Sequence, residues 1–229
     1  MTRGKSYPEK APVEPVVNAF DQLATQYDAW FERAGKLVFS IEVRALGEVA
    51  QLLPRPWIEV GTGSGRFARA LGMDIGLDPA PGLLHLANQR DLDLVMARGE
   101  AVPFREKSIG TLFLIVTICF LKSPADVLKE ARRIIKPGGK VVLGLVLLDS
   151  PWGQFYVSKK KAGHRFYRYA EFYDWESVTR LLEYAGFKKE KVVSTLFQKP
   201  NEVRGMERPQ EGFFSEAGFT VLIAGKDEG

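Results

Sequence analysis

Trp57-Ile58-Glu59-Val60-Gly61-Thr62-Gly63-Ser64-Gly65-Arg66-Phe67-Ala68 decides the fold. Apolar residues around Glu59 read as a short buried strand; glycines at alternate positions follow, and Phe67, Ala70 and Leu71 then begin a helical spacing. Glycine takes positive φ and lets another molecule approach without meeting a Cβ. The N–H groups opening the next helix face whatever lies over the loop. Strand, bare loop and helix together predict a site for a nucleotide-like ligand. The dinucleotide fingerprint G-x-G-x-x-G has its third glycine where this run, G-x-G-x-G, has Arg66.

Toward the C-terminus, Met73–Asp78 reads as a second strand ending in an acid. Asp78 falls 17 residues after Gly61, near the interval at which a βαβ unit sets a carboxylate beside a ribose. Its two oxygens can accept both ribose hydroxyls. The competing reading makes it a helix N-cap, because Pro79–Gly82 lead into Leu83-Leu84-His85-Leu86-Ala87. His85 has no partner at ligand spacing and reads as a surface or packing residue. Leu92–Ala97 is a third strand. Thr111–Val116 is almost continuously apolar, as a central parallel strand covered on both faces should be. Thr117 and Ile118 then stand at its carboxyl end, where ligands lie in open sheets, and Cys119 reads as packing. Ser123 and Pro124 open a helix as N-cap and first residue, and Lys136–Lys140 turns it into a fifth strand, Val141–Val146. Lys191–Leu196 is the sixth strand, a polar loop spans Gln198–Gly212, and Phe219–Ala224 is the last strand.

Toward the N-terminus, residues 1–15 carry Pro8, Pro12 and Pro15 among charges and read as a flexible arm. From Val16 one helix presents Val17, Phe20, Leu23, Ala24, Tyr27, Trp30 and Phe31 on a broad face. Gly35 breaks it, and a second helix turns Val38, Ile41, Ala45, Leu46, Val49 and Leu52 inward until Pro54 and Pro56 stop it.

The 229 residues suffice for one α/β domain with a substantial core. No apolar run reaches membrane-spanning length, and the charged, proline-bearing N-terminus is unlike a signal peptide. The single cysteine allows neither an internal disulfide nor a cysteine metal cluster. A cytoplasmic protein with no membrane partner and no metal is expected. The net charge of +4 and pI near 9.1 permit an anionic partner without requiring one, since that inference needs a clustered basic face.

Glu59, two positions before the first glycine, gives that loop a resemblance to motif I of the class I S-adenosylmethionine (SAM)-dependent methyltransferases. Further landmarks stand in register. Phe20–Phe31 looks like the "FDxxAxxYDxWF" opening of the UbiE-like (methyltransferase type 11) members. Arg98-Gly99-Glu100-Ala101-Val102-Pro103-Phe104 is similar to their "GDAxxLPF", with Glu100 for the commoner Asp. Ile135-Lys136-Pro137-Gly138-Gly139 matches "LKPGG". Tyr173–Phe187 matches "xxxxELxxLLxxAGF", with Gly186 as the left-handed helix stop. The resemblance runs from Phe20 nearly to the end and is weakest over 152–168 and 198–214. Ile109-Gly110 departs from the usual "FD", and Cys119-Phe120-Leu121 from the usual "LHH", which removes histidines that might have served as bases.

The resemblance implies a Rossmann-like, doubly wound α/β fold. Its seven-stranded sheet has order 3-2-1-4-5-7-6, mostly parallel with an antiparallel last strand, under an N-terminal helical cap. It implies one domain over 16–229, with the cap at 16–53 and a lid at 150–173 after strand five. SAM would be the cofactor and S-adenosylhomocysteine the product. Glu59 and the loop residues Gly61, Thr62, Gly63 and Gly65 would hold the methionine end, Asp78 with Pro79 the ribose, and Glu100 with Ala101 the adenine. Thr117 would face the cofactor from the strand end. Tyr27 would reach it from the cap, its hydroxyl needing a partner if buried.

The chain from Trp152 to Trp175 holds nine aromatic residues together with Lys159, Lys160, Lys161, His164, Arg165 and Arg168. Three readings compete: a lid forming an apolar pocket for a small-molecule methyl acceptor, aromatics that merely pack beside a solvated lysine run, and a platform for single-stranded nucleic acid. The small-molecule lid ranks first. His164, Tyr156 and Tyr169 are the acceptor-side candidates for catalysis, although a base is needed only when the nucleophile arrives protonated. An RNA or protein methyltransferase and a non-catalytic SAM-binding protein remain as alternatives. Arg66 and the "KPGG" turn argue against a nicotinamide enzyme.

Overall fold

β1 (Trp57–Val60) is buried at every position and lies between two parallel neighbours, β2 (Ile75–Asp78) and β4 (Ile109–Ile115). The computed structural model describes residues 14–226 and builds outward from this centre. β3 (Asp93–Met96) extends the sheet beyond β2, and β5 (Ile135–Leu145) pairs with β4, both in parallel. β8 (Phe219–Lys226) lies antiparallel between β5 and β6 (Phe187–Thr195). The full order is β3-β2-β1-β4-β5-β8-β6-β7. The eighth strand is the departure from expectation. β7 (Gln210–Glu211) is a two-residue piece of the long loop that pairs with Val193 and Ser194. It covers the open edge of β6, which would otherwise present unpaired backbone groups; setting it aside leaves the expected order.

Period-two alternation sorts β4 into two layers. Leu112 and Leu114 pack with α6 (Pro124–Ile134) and α8 (Trp175–Tyr184) on one face. Phe113 and Ile115 pack with α3 (Lys36–Ala50) and α4 (Arg66–Leu71) on the other. Side chains such as Leu112 and Phe113, at 1% and 0% exposure, each contribute about 1.5–3 kcal/mol by leaving water. Among the described residues no helix is long and apolar enough to cross a membrane.

Several local expectations need correction. Residues 1–13 of the expected arm lie outside the described residues, and Pro15 already opens a helix. The single cap helix is two, α1 (Pro15–Gln22) and α2 (Ala24–Glu32), because Leu23 leaves helical geometry at φ −109, ψ 18. Leu52 is 91% exposed, since α3 ends before it and the periodicity no longer applies. Ser123 is the N-cap of α6 and Pro124 opens it, as expected, but the Ser123 hydroxyl donates to the Asp126 carboxylate instead of accepting from a helix N–H. Lys136–Gly139 forms a bulge within β5, opposite Gly110, since Ile135 pairs with Ile109 and Lys140 with Thr111.

Candidate active site

The carboxyl ends of β1, β2 and β4 open on one side of the sheet into a cleft, the place where ligands lie in open α/β sheets. The glycine loop forms its floor. Gly61, Gly63 and Gly65 have φ of 75, 56 and 78, conformations that side chains with a Cβ rarely adopt. The N–H groups of Gly61 and Thr62 donate to the Leu77 carbonyl at 2.7 and 3.0 Å, and Gly63 N–H donates to Asp78 at 2.9 Å. The loop is thereby folded back onto the end of β2. A Cβ at Gly61 would collide with the Thr117 side chain.

Asp78 is buried on the cleft wall. One oxygen accepts from Gly63 N–H, the other from Ala80 N–H at 2.8 Å, which leaves lone pairs on both for a ligand. Burial raises its pKa to about 6 against the lowering effect of those two amides. It is not the cap of α5 (Pro81–Asn88), whose N-cap is Ala80. Of the residues anticipated from the sequence, Tyr27, Gly61, Gly63, Asp78, Pro79, Glu100 and Thr117 meet on this cleft. Thr117 is buried, its hydroxyl donating to the Ile115 carbonyl at 3.0 Å. Tyr27 lies over the glycine loop, its ring 3.4 Å from where a Gly63 Cβ would stand, and burial pushes its phenol up.

Glu59, Thr62, Gly65 and Ala101 are not on the cleft wall. Glu59 is 1% exposed and accepts from the Thr62 hydroxyl at 2.7 Å and from Ala68 N–H at 3.1 Å. Its task is to hold the loop against α4 from behind, and it takes the helix N–H that the sequence reading had aimed at a ligand. Burial raises it to about 8 despite those two hydrogen bonds. Gly65 caps α4 in a left-handed turn against Leu92 and Ala87, and the Ala101 side chain is exposed.

The acceptor-side candidates are also off the cleft wall. His164 Nδ1 accepts from Phe166 N–H at 3.4 Å, and partial burial with the charges of Lys159 and Arg165 lowers its pKa. Tyr169 accepts from Arg168. Tyr156, on α7 (Pro151–Lys161), meets Tyr167 with ring centroids 4.5 Å apart. Cys119 is pushed up to about 12 by burial, which fits packing and not a reactive thiolate. His85 is exposed.

Sequence reasoning missed what fastens the cap. Glu14, Asp21 and Asp28 recur every seven residues, and each reaches a different segment beside the cleft. Glu14 pairs with Arg98 at 2.8 Å. Asp21 accepts from Gly82 N–H at 2.5 Å. Asp28 accepts from the Ser64 hydroxyl at 2.5 Å, from Arg66 at 2.8 and 2.7 Å, and from Arg90 at 2.9 Å. Burial opposes ionisation of Asp28, but the hydrogen bonds from Arg66 and Ser64 and the charge of Arg90 outweigh it and bring the group down to about 2. Two helical turns separate such positions, so the seven-residue spacing was the available signal. Val116 was missed as well. It lines the cleft at φ 51, a conformation costing a β-branched residue on the order of 1–3 kcal/mol and commonly found at working sites.

The cradle suits SAM. A Cβ-free turn faces an acidic pair of oxygens, and Glu100 with Gly99 lines the same cleft. A family model described as a methyltransferase domain matches residues 58–143, from β1 into β5. A Methanocaldococcus jannaschii protein described as uncharacterized is 31% identical over 211 residues, 92% of this chain and 100% of its own length. A Mycobacterium tuberculosis protein, likewise described, is 34% identical over 212 residues, 92% of this chain and 74% of its own. The crystal structure of a Thermotoga maritima protein, described as a SAM-dependent methyltransferase and possible histamine N-methyltransferase, matches with a TM-score of 0.86 at 32% identity, covering 93% of this chain and 100% of that one. With the order of the sheet, the glycine turn and this full-length likeness in agreement, the chain belongs to the class I SAM-dependent methyltransferases.

Proposed function

We propose that this enzyme methylates a small molecule that enters between the cap and the lid. One observation carries the reading: rings from both elements close over the end of the cleft beside the glycine loop. Phe20 of the cap stacks on Phe166 of the lid at 4.8 Å and 22°, and meets Phe120 edge-on at 5.0 Å. Rings engaged in this way do not form an open platform for nucleic-acid bases. The lysine run supports the same reading. It ends α7, where cations complement the helix dipole, Lys160 donates to the Ala170 carbonyl, and Lys159 lies over the Phe155 ring. The description of the Thermotoga maritima protein supports an acceptor of that size.

SAM, when bound, supplies a sulfonium methyl group to a nucleophile. The chain's own part is to bind, align and keep water out. In this reading Asp78 takes the ribose hydroxyls and Glu100 the adenine amino group. The Gly61–Gly63 backbone faces the methionine end, and Tyr27 and Thr117 border the position of the reacting group. Glu59 acts indirectly, by fixing the loop. A screen of small-molecule pools, RNA and protein with methyl-labelled SAM tests the proposal. Label is expected in a small-molecule pool; label confined to RNA or protein overturns it.

A further inference from the structure

A second, smaller cavity adjoins the cofactor cleft beneath the lid. Val116 and Phe120 line both. Its base lies where β4 and β5 end, the side of an open α/β sheet on which ligands sit. Cys119 from the strand end and Tyr167, Phe172 and Tyr173 from the lid complete its walls.

Those walls are fastened to one another. Glu171 N–H donates to the Cys119 carbonyl at 2.7 Å, and Leu148 N–H to the Tyr173 carbonyl at 2.9 Å. Lys160 Nζ donates to the Ala170 carbonyl at 2.5 Å. Val116, the wall common to both cavities, keeps φ 51 while its N–H donates to the Gly144 carbonyl at 2.8 Å; backbone strain of this kind accompanies ligand clamps. The two cavities differ in charge. The cofactor cleft carries Glu14, Asp78, Arg98, Glu100 and Lys122, whereas among the described residues no charged side chain lines the second cavity. The Cys119 thiol is spent on the Val116 carbonyl at 3.6 Å, and burial keeps it and the Tyr167 and Tyr173 phenols protonated.

We propose that this cavity holds an uncharged apolar portion of the methyl acceptor, an aryl or short alkyl group, while the atom to be methylated stays in the cofactor cleft. The inference rests on the methyltransferase reading above and adds the chemical class of the acceptor. Apolar surface gains by leaving water for such walls, and the rings of Phe120, Phe172 and the two tyrosines suit a flat group. An ammonium or carboxylate carried in would lose its hydration with no opposite charge to replace it. Because Val116 and Phe120 bound both spaces, a group seated here adjoins the cofactor position.

Methyl-NMR titration of the full chain saturated with S-adenosylhomocysteine tests this, with benzyl alcohol as the neutral probe and benzylamine and benzoate as charged probes of the same shape at pH 7. Benzyl alcohol is expected to bind at least about tenfold tighter than either. Its ring protons should show isotope-filtered NOEs to the methyls of Ile118 and Val146, which line the second cavity and not the cleft. Cys119→Met, which fills the space, should weaken benzyl alcohol at least about fivefold and keep S-adenosylhomocysteine affinity within about twofold. Phe172→Ala, which removes a wall, should raise the affinity of 2-naphthylmethanol relative to benzyl alcohol at least about fivefold. Equal binding of the three probes, NOEs missing from Ile118 and Val146, or an unchanged ligand profile in either folded variant overturns the inference. If S-adenosylhomocysteine binds while one of these results appears, this inference alone falls. If it fails to bind wild type, the cofactor reading falls too.

Discussion

Replacing Asp28 with alanine should loosen the cap. The carboxylate accepts bonds from Ser64, Arg66 and Arg90, and the side chains of Asp28, Arg66 and Arg90 are only 15, 17 and 19% exposed. Removing one partner of a fully buried pair costs about 3–5 kcal/mol because the other charge is stranded. Partial exposure reduces this. Arg66 also keeps Glu32, and Arg90 keeps the carbonyls of Ser64 and Leu86. A net loss of about 2 kcal/mol remains, lowering Tm by about 4–8 °C for a domain of this size. The carboxylate ties α2, which carries Tyr27, to the glycine loop, so SAM affinity should fall as well. If about 1.4 kcal/mol of the loss reaches the closed cap, the fall is about tenfold. A double-mutant cycle with Arg66→Ala, read by thermal denaturation and SAM calorimetry, separates this tie from unrelated damage. Coupling of about 1–2 kcal/mol is expected. Additive effects, within about 0.3 kcal/mol, would refute the reasoning.

Other expectations follow from the same geometry. Asp78→Ala should weaken SAM binding by more than about tenfold in calorimetry, with some loss of stability from the two amides left unpaired; unchanged affinity removes the ribose assignment. Gly61→Val should abolish SAM binding, because φ 75 and the Thr117 side chain both exclude a Cβ; retained binding contradicts the observed loop. Burial raises Glu59 and Glu42 to about 8 and Asp78 to about 6. Raised groups favour the folded state fully below their unfolded values and lose that contribution as pH rises through the folded ones. Denaturant melts of the ligand-free protein should therefore show stability falling from pH 5 to 8, by up to about 1.4 kcal/mol per pH unit for each proton involved. Asp28, at about 2, acts oppositely, its contribution being lost only below about pH 4. A flat profile between pH 5 and 8 would contradict the burial of these acids.

Much of the sheet was legible because buried parallel strands announce themselves as short apolar runs between turn residues, as Thr111–Val116 does between Gly110 and Thr117. The cap was less so. Its apolar spacing runs unbroken through Leu23 although the helix does not, because both segments keep the same inward face. β7 is too short for any periodicity. At the site, the glycines and Asp78 were readable because backbone freedom and an acid at a strand end imply a position on their own. Glu59 carried a position without a direction: every side chain of β1 is buried, so nothing in the sequence said whether the acid faced the cleft or the back of the loop. Asp28 and Glu42 read as the polar side of amphipathic helices. The role of Asp28 depends on partners far along the chain, Ser64 and Arg90, and sequence spacing does not carry such contacts; the burial of Glu42 likewise comes from tertiary packing.

A crystal structure of the protein grown with S-adenosylhomocysteine tests the central claim most directly. The account predicts the nucleoside in the cleft, both ribose hydroxyls within hydrogen-bond distance of the Asp78 carboxylate, and the sulfur beside Tyr27 over the Gly61–Gly63 turn. A ribose turned away from Asp78, or an empty cleft at saturating ligand, would contradict it.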